Sequence, residues 1–225
     1  MNLAYELKPK LLYTLWLLTC RHIKLLCHNT QLFYHHLFSL LGISVLWYLS
    51  ADIQLMSQRQ LFGMVVSLLF IISLSSNFLL LRYDYDHRFL EQIRLGGISL
   101  FWLLLLKFLI NLLCNVSIAF IYLSLLNFVL DTKLFFQPEI IINLIIIIAF
   151  ISIFDLFAQS ILLVGKQQLL AALIILPLII PQFIFSLLAL NEFGYLWLMA
   201  GVFLLMSCLL FALANHAVIL SLEEK

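Results

Sequence analysis

The chain has 225 residues, of which 65% are hydrophobic and only 10% carry a charge, and its mean hydropathy is +1.15. A soluble globular protein has about 45–50% apolar and about 25% charged residues. The composition therefore excludes a soluble globule and indicates a polytopic, all-α membrane protein. The formal net charge is +1 and no run of Lys and Arg is long enough to follow phosphates, which excludes nucleic acid as a partner.

Six apolar stretches are long enough to cross a bilayer as helices. About 20 apolar residues cover roughly 30 Å of hydrocarbon, where a helix pairs its own backbone groups because lipid cannot. Ile98–Leu130 is too long for one crossing at about 1.5 Å per residue, so we take Lys107 as its divider and expect its ammonium to reach the headgroups. An entering segment then covers Ile98–Leu106, and the predicted spans are Leu32–Ser50, Leu61–Leu81, Phe108–Leu130, Ile140–Val164, Leu169–Leu190 and Tyr195–Leu220.

The positions of Lys and Arg predict the orientation. Only Arg59 and Lys133 lie in the connections on one side, whereas nine basic residues lie on the other. Because cytoplasmic connections carry the excess of basic residues, we expect both termini on the cytoplasmic or matrix side. The nine are Lys8, Lys10, Arg21, Lys24, Arg82, Arg88, Arg94, Lys166 and Lys225.

The N-terminal segment is predicted to lie along the inner membrane surface. Residues 5–30 place Leu11, Leu15 and Leu18 on one helical face, which is typical of an interfacial elbow helix. Since no linker or repeat follows, we expect one domain over residues 1–225.

The segment at 82–97 concentrates six of the chain's 23 charged side chains between two apolar runs. As one helix it places Tyr85, Phe89 and Ile93 on one face, with charged residues opposite. A solvated loop helix and a surface on which a partner docks both explain this amphipathic pattern. We name residues 82–97 the coupling segment.

Short motifs spread over most of the chain resemble those of a known family. They are Arg82, Asp84, the run Leu90-Glu91-Gln92-Ile93, Lys107 fourteen residues after Ile93, the inside Lys166, and Leu176-Pro177-Leu178-Ile179-Ile180-Pro181. With the chain length and six spans, this pattern resembles the permease family of cytochrome c maturation, heme exporter protein B (CcmB). The resemblance implies the membrane half of an ATP-binding-cassette (ABC) transporter, with an ABC-2-like exporter fold.

The resemblance also implies partners. A separate cytoplasmic ATPase would dock on Arg82, Asp84, Arg88, Phe89, Glu91 and Gln92. The sequence has no G-x-x-x-x-G-K-[ST] phosphate loop, so ATP is expected in the partner and the chain itself is not expected to be an enzyme. We expect one or two copies with other cytochrome c maturation subunits in a bacterial or mitochondrial inner membrane, with heme as a handled ligand and no resident cofactor.

Two other interpretations remain open. In the first, the chain is a permease for another lipid or polysaccharide. In the second, it is a structural subunit of a respiratory membrane assembly. A neighbouring gene for a phosphate-loop ATPase without its own membrane domain would favour transport over the structural role.

Polar and proline residues inside the spans are further candidates. Pro177 and Pro181 each remove a backbone donor, so we expect them to kink or open the fifth span, as part of a path or as a static bend. Asp155, deep in the fourth span, is a candidate intramembrane site together with Lys107. A hydrogen bond from Asp155 to Gln159, Asn111 or Asn115 is the structural alternative to a transport role.

No metal site is predicted, although Cys20, His22, Cys27 and His28 lie close together in the sequence. Their spacing fits no established zinc pattern. The remaining histidines are interpreted as polar side chains at the membrane boundary rather than as heme ligands.

Overall fold

The computed structural model describes residues 13–14, 16–25, 38–43, 58–76, 78–130, 137–165, 168–192 and 194–223. These ranges contain helices and their connections and no strand, which confirms the all-helical class. Short helical stretches lie at 16–25 and 38–43. The labelled helices are α1 (Gln58–Ser76), α2 (Phe78–Asp86), α3 (Phe89–Leu95), α4 (Leu100–Leu130), α5 (Pro138–Gly165), α6 (Gln168–Ala189) and α7 (Gly194–Glu223).

Three helices in the described part of the chain are long and apolar enough to cross a membrane. They cover Leu100–Phe128, Pro138–Val164 and Gly194–Glu223, at the predicted third, fourth and sixth spans. They confirm a membrane-embedded protein. The predicted first span, Leu32–Ser50, lies outside the described residues except for 38–43.

The predicted second span, Leu61–Leu81, is helical in its described part. Helix α1 covers its residues up to Ser76 and α2 covers those from Phe78, and Asn77 lies outside the described residues. Helix α2 packs against α5.

The predicted division of the third span at Lys107 does not interrupt the helix, and the prediction that the Lys107 ammonium reaches the headgroups is wrong. Helix α4 runs without interruption for 31 residues, about 46 Å at the usual helical rise, because lysine is a good helix former and nothing nearby breaks the helix. Only 5% of the Lys107 side chain is exposed, and its ammonium pairs with Asp84. The ammonium therefore pairs inside the protein rather than reaching the headgroups.

Helix α5 is the centre of the fold. It packs against α1, α2, α4, α6 and α7, and large buried side chains such as Phe150 and Phe154 fill the space between them. Helix α7, by contrast, leaves Leu204, Leu205 and Leu209 exposed, as expected for a helix that faces lipid.

Helix α6 contains both predicted kink residues. It remains helical through Pro177 and Pro181 from end to end, and both prolines lie on its exposed side. The fifth span is therefore not opened at these positions, and a bend or a role in a path stays a prediction.

Candidate functional site

The coupling segment forms two short helices instead of the single amphipathic helix predicted from its sequence. Helix α2 ends at Asp86 and α3 begins at Phe89, with His87 and Arg88 in a turn. Arg88 adopts the left-handed conformation at φ 55° and ψ 20°, which costs a residue with a side chain about 1–2 kcal/mol. Tyr85, Phe89 and Ile93 nevertheless all pack against the core, as predicted for one shared face.

A glycine closes the far end of α3. Gly97 has φ 73°, and the N–H group of Ile98 donates to the carbonyl of Ile93 at 3.2 Å. This is the six-to-one hydrogen bond of a Schellman motif, which needs a residue that tolerates positive φ. The turn directs the chain from α3 into α4.

Four polar side chains meet on the inner side of α2, and we name them the Asp84 cluster: Asp84, His22 and Lys107, which are buried, and Arg21, which is partly exposed. Asp84 is 1% exposed. Its Oδ1 accepts a hydrogen bond from Nη2 of Arg21 at 2.8 Å, and its Oδ2 lies 2.6 Å from Nζ of Lys107 and 3.4 Å from Nε2 of His22. The prediction that Asp84 contacts a partner is therefore wrong, because its carboxylate is occupied inside the protein.

The electrostatics of the cluster favour an ionised carboxylate. Burial by itself raises the pKa of Asp84, but the hydrogen bond from His22, the charge of Lys107 and the hydrogen bond from Arg21 together hold that pKa well below its usual range. Asp84 is thus the common counter-charge that joins the N-terminal helical stretch, α2 and α4.

Arg21 extends the cluster to α3. Its guanidinium carbon lies 3.6 Å from the centre of the Phe89 ring, a cation–π arrangement worth about 0.5–2 kcal/mol. Phe89 was predicted to anchor the partner; instead, a side chain of the same protein already covers one face of its ring.

Two further contacts fasten this region to the end of α7. The hydroxyl of Tyr85 donates to the backbone carbonyl of Ser221 at 3.2 Å, and Nη2 of Arg94 lies 3.5 Å from Oε1 of Glu223. Neither these contacts nor the one with Arg21 was predicted from the sequence, because the partners lie more than 60 residues away along the chain.

The side of the coupling segment away from the Asp84 cluster exposes several side chains. Among the predicted docking residues, Arg82, Arg88 and Gln92 are exposed, whereas Phe89 and Glu91 are half-buried. An apolar side chain that the prediction did not include, Leu95, is 87% exposed. The accessible residues of the segment are Arg82, Tyr83, Asp86, His87, Arg88, Gln92, Arg94, Leu95, Gly96 and Gly97.

A second polar group lies deeper, between α4 and α5. Oδ2 of Asp155 accepts hydrogen bonds from Nδ2 of Asn111 at 2.8 Å and from Nε2 of Gln159 at 3.1 Å, which confirms two of the three predicted partners. Asn115 donates instead to Oγ of Ser152 at 3.1 Å. Lys107, which the sequence grouped with Asp155, belongs to the Asp84 cluster.

The described residues contain no group of three or more His, Cys, Asp or Glu side chains placed to hold a metal ion. The ring nitrogens of His22 face the Leu18 carbonyl, at 2.9 Å, and Asp84. Cys27 and His28 lie outside the described residues.

Comparison with known proteins gives no family for this chain. No protein-family model, curated protein or solved structure matches it. A function must therefore be argued from the helix architecture, the Asp84 cluster and the exposed side of the coupling segment.

Proposed function

We propose that this chain is the membrane subunit of an ATP-driven transporter, and that a cytoplasmic ATPase docks on its coupling segment. The observation that carries the proposal is the two-sided character of the segment. One side exposes Arg82, Arg88, Gln92 and Leu95, while the other is fastened to the protein by Asp84 and its partners. The buried contacts hold the exposed side in a fixed position, which lowers the cost of ordering it when a partner binds.

The contacts also provide a route for force. Lys107 links Asp84 to α4, and Tyr85 and Arg94 link the segment to α7. A push on α2 and α3 therefore reaches two membrane helices directly. Closure of an ATPase against the segment would tilt these helices between two packed arrangements, the usual form of such switches.

The substrate assignment rests on the sequence motifs. In the proposal the chain serves cytochrome c maturation as a relative of heme exporter protein B, with heme as the ligand exported or handed on. ATP is bound and hydrolysed by the partner. Six spans and an inside location for both termini complete the proposed architecture.

The topology has its own test. In a background with the native cysteines replaced by Ser, a membrane-impermeant maleimide added from outside should label Ser57→Cys, Thr132→Cys and Glu192→Cys. It should spare His87→Cys and Gln167→Cys until the membrane is permeabilised, since basic residues orient the chain. Labelling of position 87 from outside would overturn both the orientation and the docking proposal.

The docking proposal is tested by co-purification in mild detergent. Wild-type chain should retain a phosphate-loop ATPase, and Leu95→Asp should reduce the retained ATPase at least about tenfold, because the new carboxylate would be buried in the interface without a partner. Arg88→Glu should act in the same direction by reversing a charge. Glu192→Lys, a charge reversal in the connection between α6 and α7, is the control and should retain the ATPase.

The outcomes separate the competing functions. If wild-type chain retains no ATPase, the transporter assignment is wrong and a structural subunit becomes the better description. If the ATPase is retained but deletion of the chain leaves heme attachment to cytochrome c intact, the substrate is another lipid or a polysaccharide.

A further inference from the structure

A series of buried hydrogen bonds runs from the membrane helices to Leu81 of α2. Asn111 and Gln159 both donate to Oδ2 of Asp155, and the backbone N–H of Leu81 donates to Oε1 of Gln159 at 3.2 Å. Leu81 and Asp155 are fully buried, and Gln159 and Asn111 are buried as well. This series of hydrogen bonds connects α4, α5 and α2 in the interior of the protein.

The donor pattern fixes the orientation of Gln159. A backbone N–H can only donate, so the side-chain oxygen of Gln159 must face Leu81 and its amide nitrogen must face Asp155. Gln159 therefore cannot rotate without losing both bonds.

These bonds close into a ring with the Asp84 cluster. Helix α2 is held at Leu81 by Gln159 of α5 and, three residues later, at Asp84 by Lys107 of α4. Helices α4 and α5 are joined in turn by the bond between Asn111 and Asp155. Each of the three helices contributes two hydrogen-bonding or charged groups about one turn apart, so each helix is held at two points on one face.

We infer that this polar ring makes α2, α4 and α5 move as one body, with Asp155 and Gln159 as the positioning residues that hold α2 to the central helix. The inference deepens the proposed function and, for its transport consequence, rests on it. Movement received by the coupling segment would pass into α5 as well as into α4 and α7. Asp155 then acts through its hydrogen bonds and contacts no substrate.

Hydrogen–deuterium exchange of the purified full-length chain in lipid nanodiscs tests the ring. Gln159→Met, which keeps the size of the side chain but removes both bonds, should speed exchange in peptides covering Phe78–Asp86 about tenfold, as expected for a buried hydrogen bond lost. Asp155→Leu should speed exchange in the same peptides. Asp155→Asn should keep wild-type rates, because its side-chain oxygen still accepts from Gln159.

Asn143→Leu is the matched control. Asn143 is a buried amide on the same helix, and its Nδ2 donates at 2.9 Å to the backbone carbonyl of Ser186 on α6. Its loss should leave exchange in α2 unchanged. Equal acceleration of α2 by Asn143→Leu, or wild-type α2 exchange in Asp155→Leu, would overturn the inference, since the first indicates general loosening and the second shows that the ring does not reach Asp155.

The transport consequence is measured separately. Asp155→Leu should keep the co-purifying ATPase at the wild-type level and lower heme attachment to cytochrome c at least about fivefold, while Asp155→Asn restores attachment. Normal attachment in Asp155→Leu with accelerated α2 exchange would show that the ring is not used for coupling. Absence of any ATPase from wild-type preparations would reject the proposed function and leave the exchange result standing.

Discussion

Asp84→Asn is expected to destabilise the protein more than Lys107→Met, although the two substitutions remove opposite ends of one ion pair. Without the Asp84 carboxylate, the buried ammonium of Lys107 loses its counter-charge, a change that costs about 3–5 kcal/mol. Without Lys107, Asp84 keeps the hydrogen bond from Arg21 at 2.8 Å and the contact with His22, so the loss should be about 1–2 kcal/mol. The free energy of unfolding in mixed detergent micelles measures both.

Asp86 supplies the control on the same helix. It pairs with Arg82 at 3.7 Å, and both side chains are more than half exposed, so Asp86→Asn should cost no more than about 1 kcal/mol. The double variant Asp84→Asn/Lys107→Met should recover part of the single loss, because the uncompensated ammonium is gone. A loss in Asp86→Asn as large as in Asp84→Asn would mean that Asp84 is not the buried anchor described above.

The pH of the assay matters for the sign of this effect. Because the pKa of Asp84 is lowered in the folded protein, its contribution is fully present above the unfolded value of about 3.9 and is lost as the pH falls toward the lowered folded pKa. Measurements near neutral pH therefore record the whole contribution of the carboxylate.

The Asp155 contacts were predictable from the sequence, and those of Asp84 were not. Asp155 and Gln159 lie four residues apart on one helix, and Asn111 lies at a similar depth on the preceding span, so elementary helix geometry brings them together. Arg21 is 63 residues from Asp84. It lies in the N-terminal helical stretch, which is neither a predicted span nor part of the coupling segment. The helical pattern instead placed Asp84 beside Arg88 and Glu91 on a solvated face.

The turn at His87 and Arg88, between α2 and α3, explains why the single-helix pattern placed Asp84 on the wrong face. No Gly or Pro occurs in the stretch from Arg82 to Leu95, so nothing in local propensity interrupts one helix there. The turn depends on Arg88 in the left-handed conformation, a strain that tertiary contacts hold. The hydrogen bond between Tyr85 and Ser221 and the stacking of Arg21 on Phe89 fasten the two sides of the turn.

The sequence also did not predict which long helix lies at the centre of the bundle and which faces lipid. Helices α5 and α7 are both predominantly apolar, and the few polar side chains of α5, such as Asp155 and Gln159, mark only part of its surface; yet 78% of an apolar 18-residue stretch of α5 is buried against 17% of one in α7. Residues that face lipid and residues that face a membrane-protein core are chemically alike, because no hydrophobic difference separates the two environments. Only the packing of the folded protein distinguishes these two kinds of apolar residue, and their residue types do not predict that packing.

Two leucine substitutions should reveal this difference in packing. Leu144 of α5 is 2% exposed and Leu205 of α7 is 76% exposed. In lipid, the transfer term of Leu→Ala largely cancels and the cavity term remains, so Leu144→Ala should cost about 2–3 kcal/mol. Leu205→Ala leaves no cavity, since acyl chains fill the space, and should cost less than about 0.5 kcal/mol. Unfolding in the same micelles compares them, and equal losses would remove α5 from the centre of the fold.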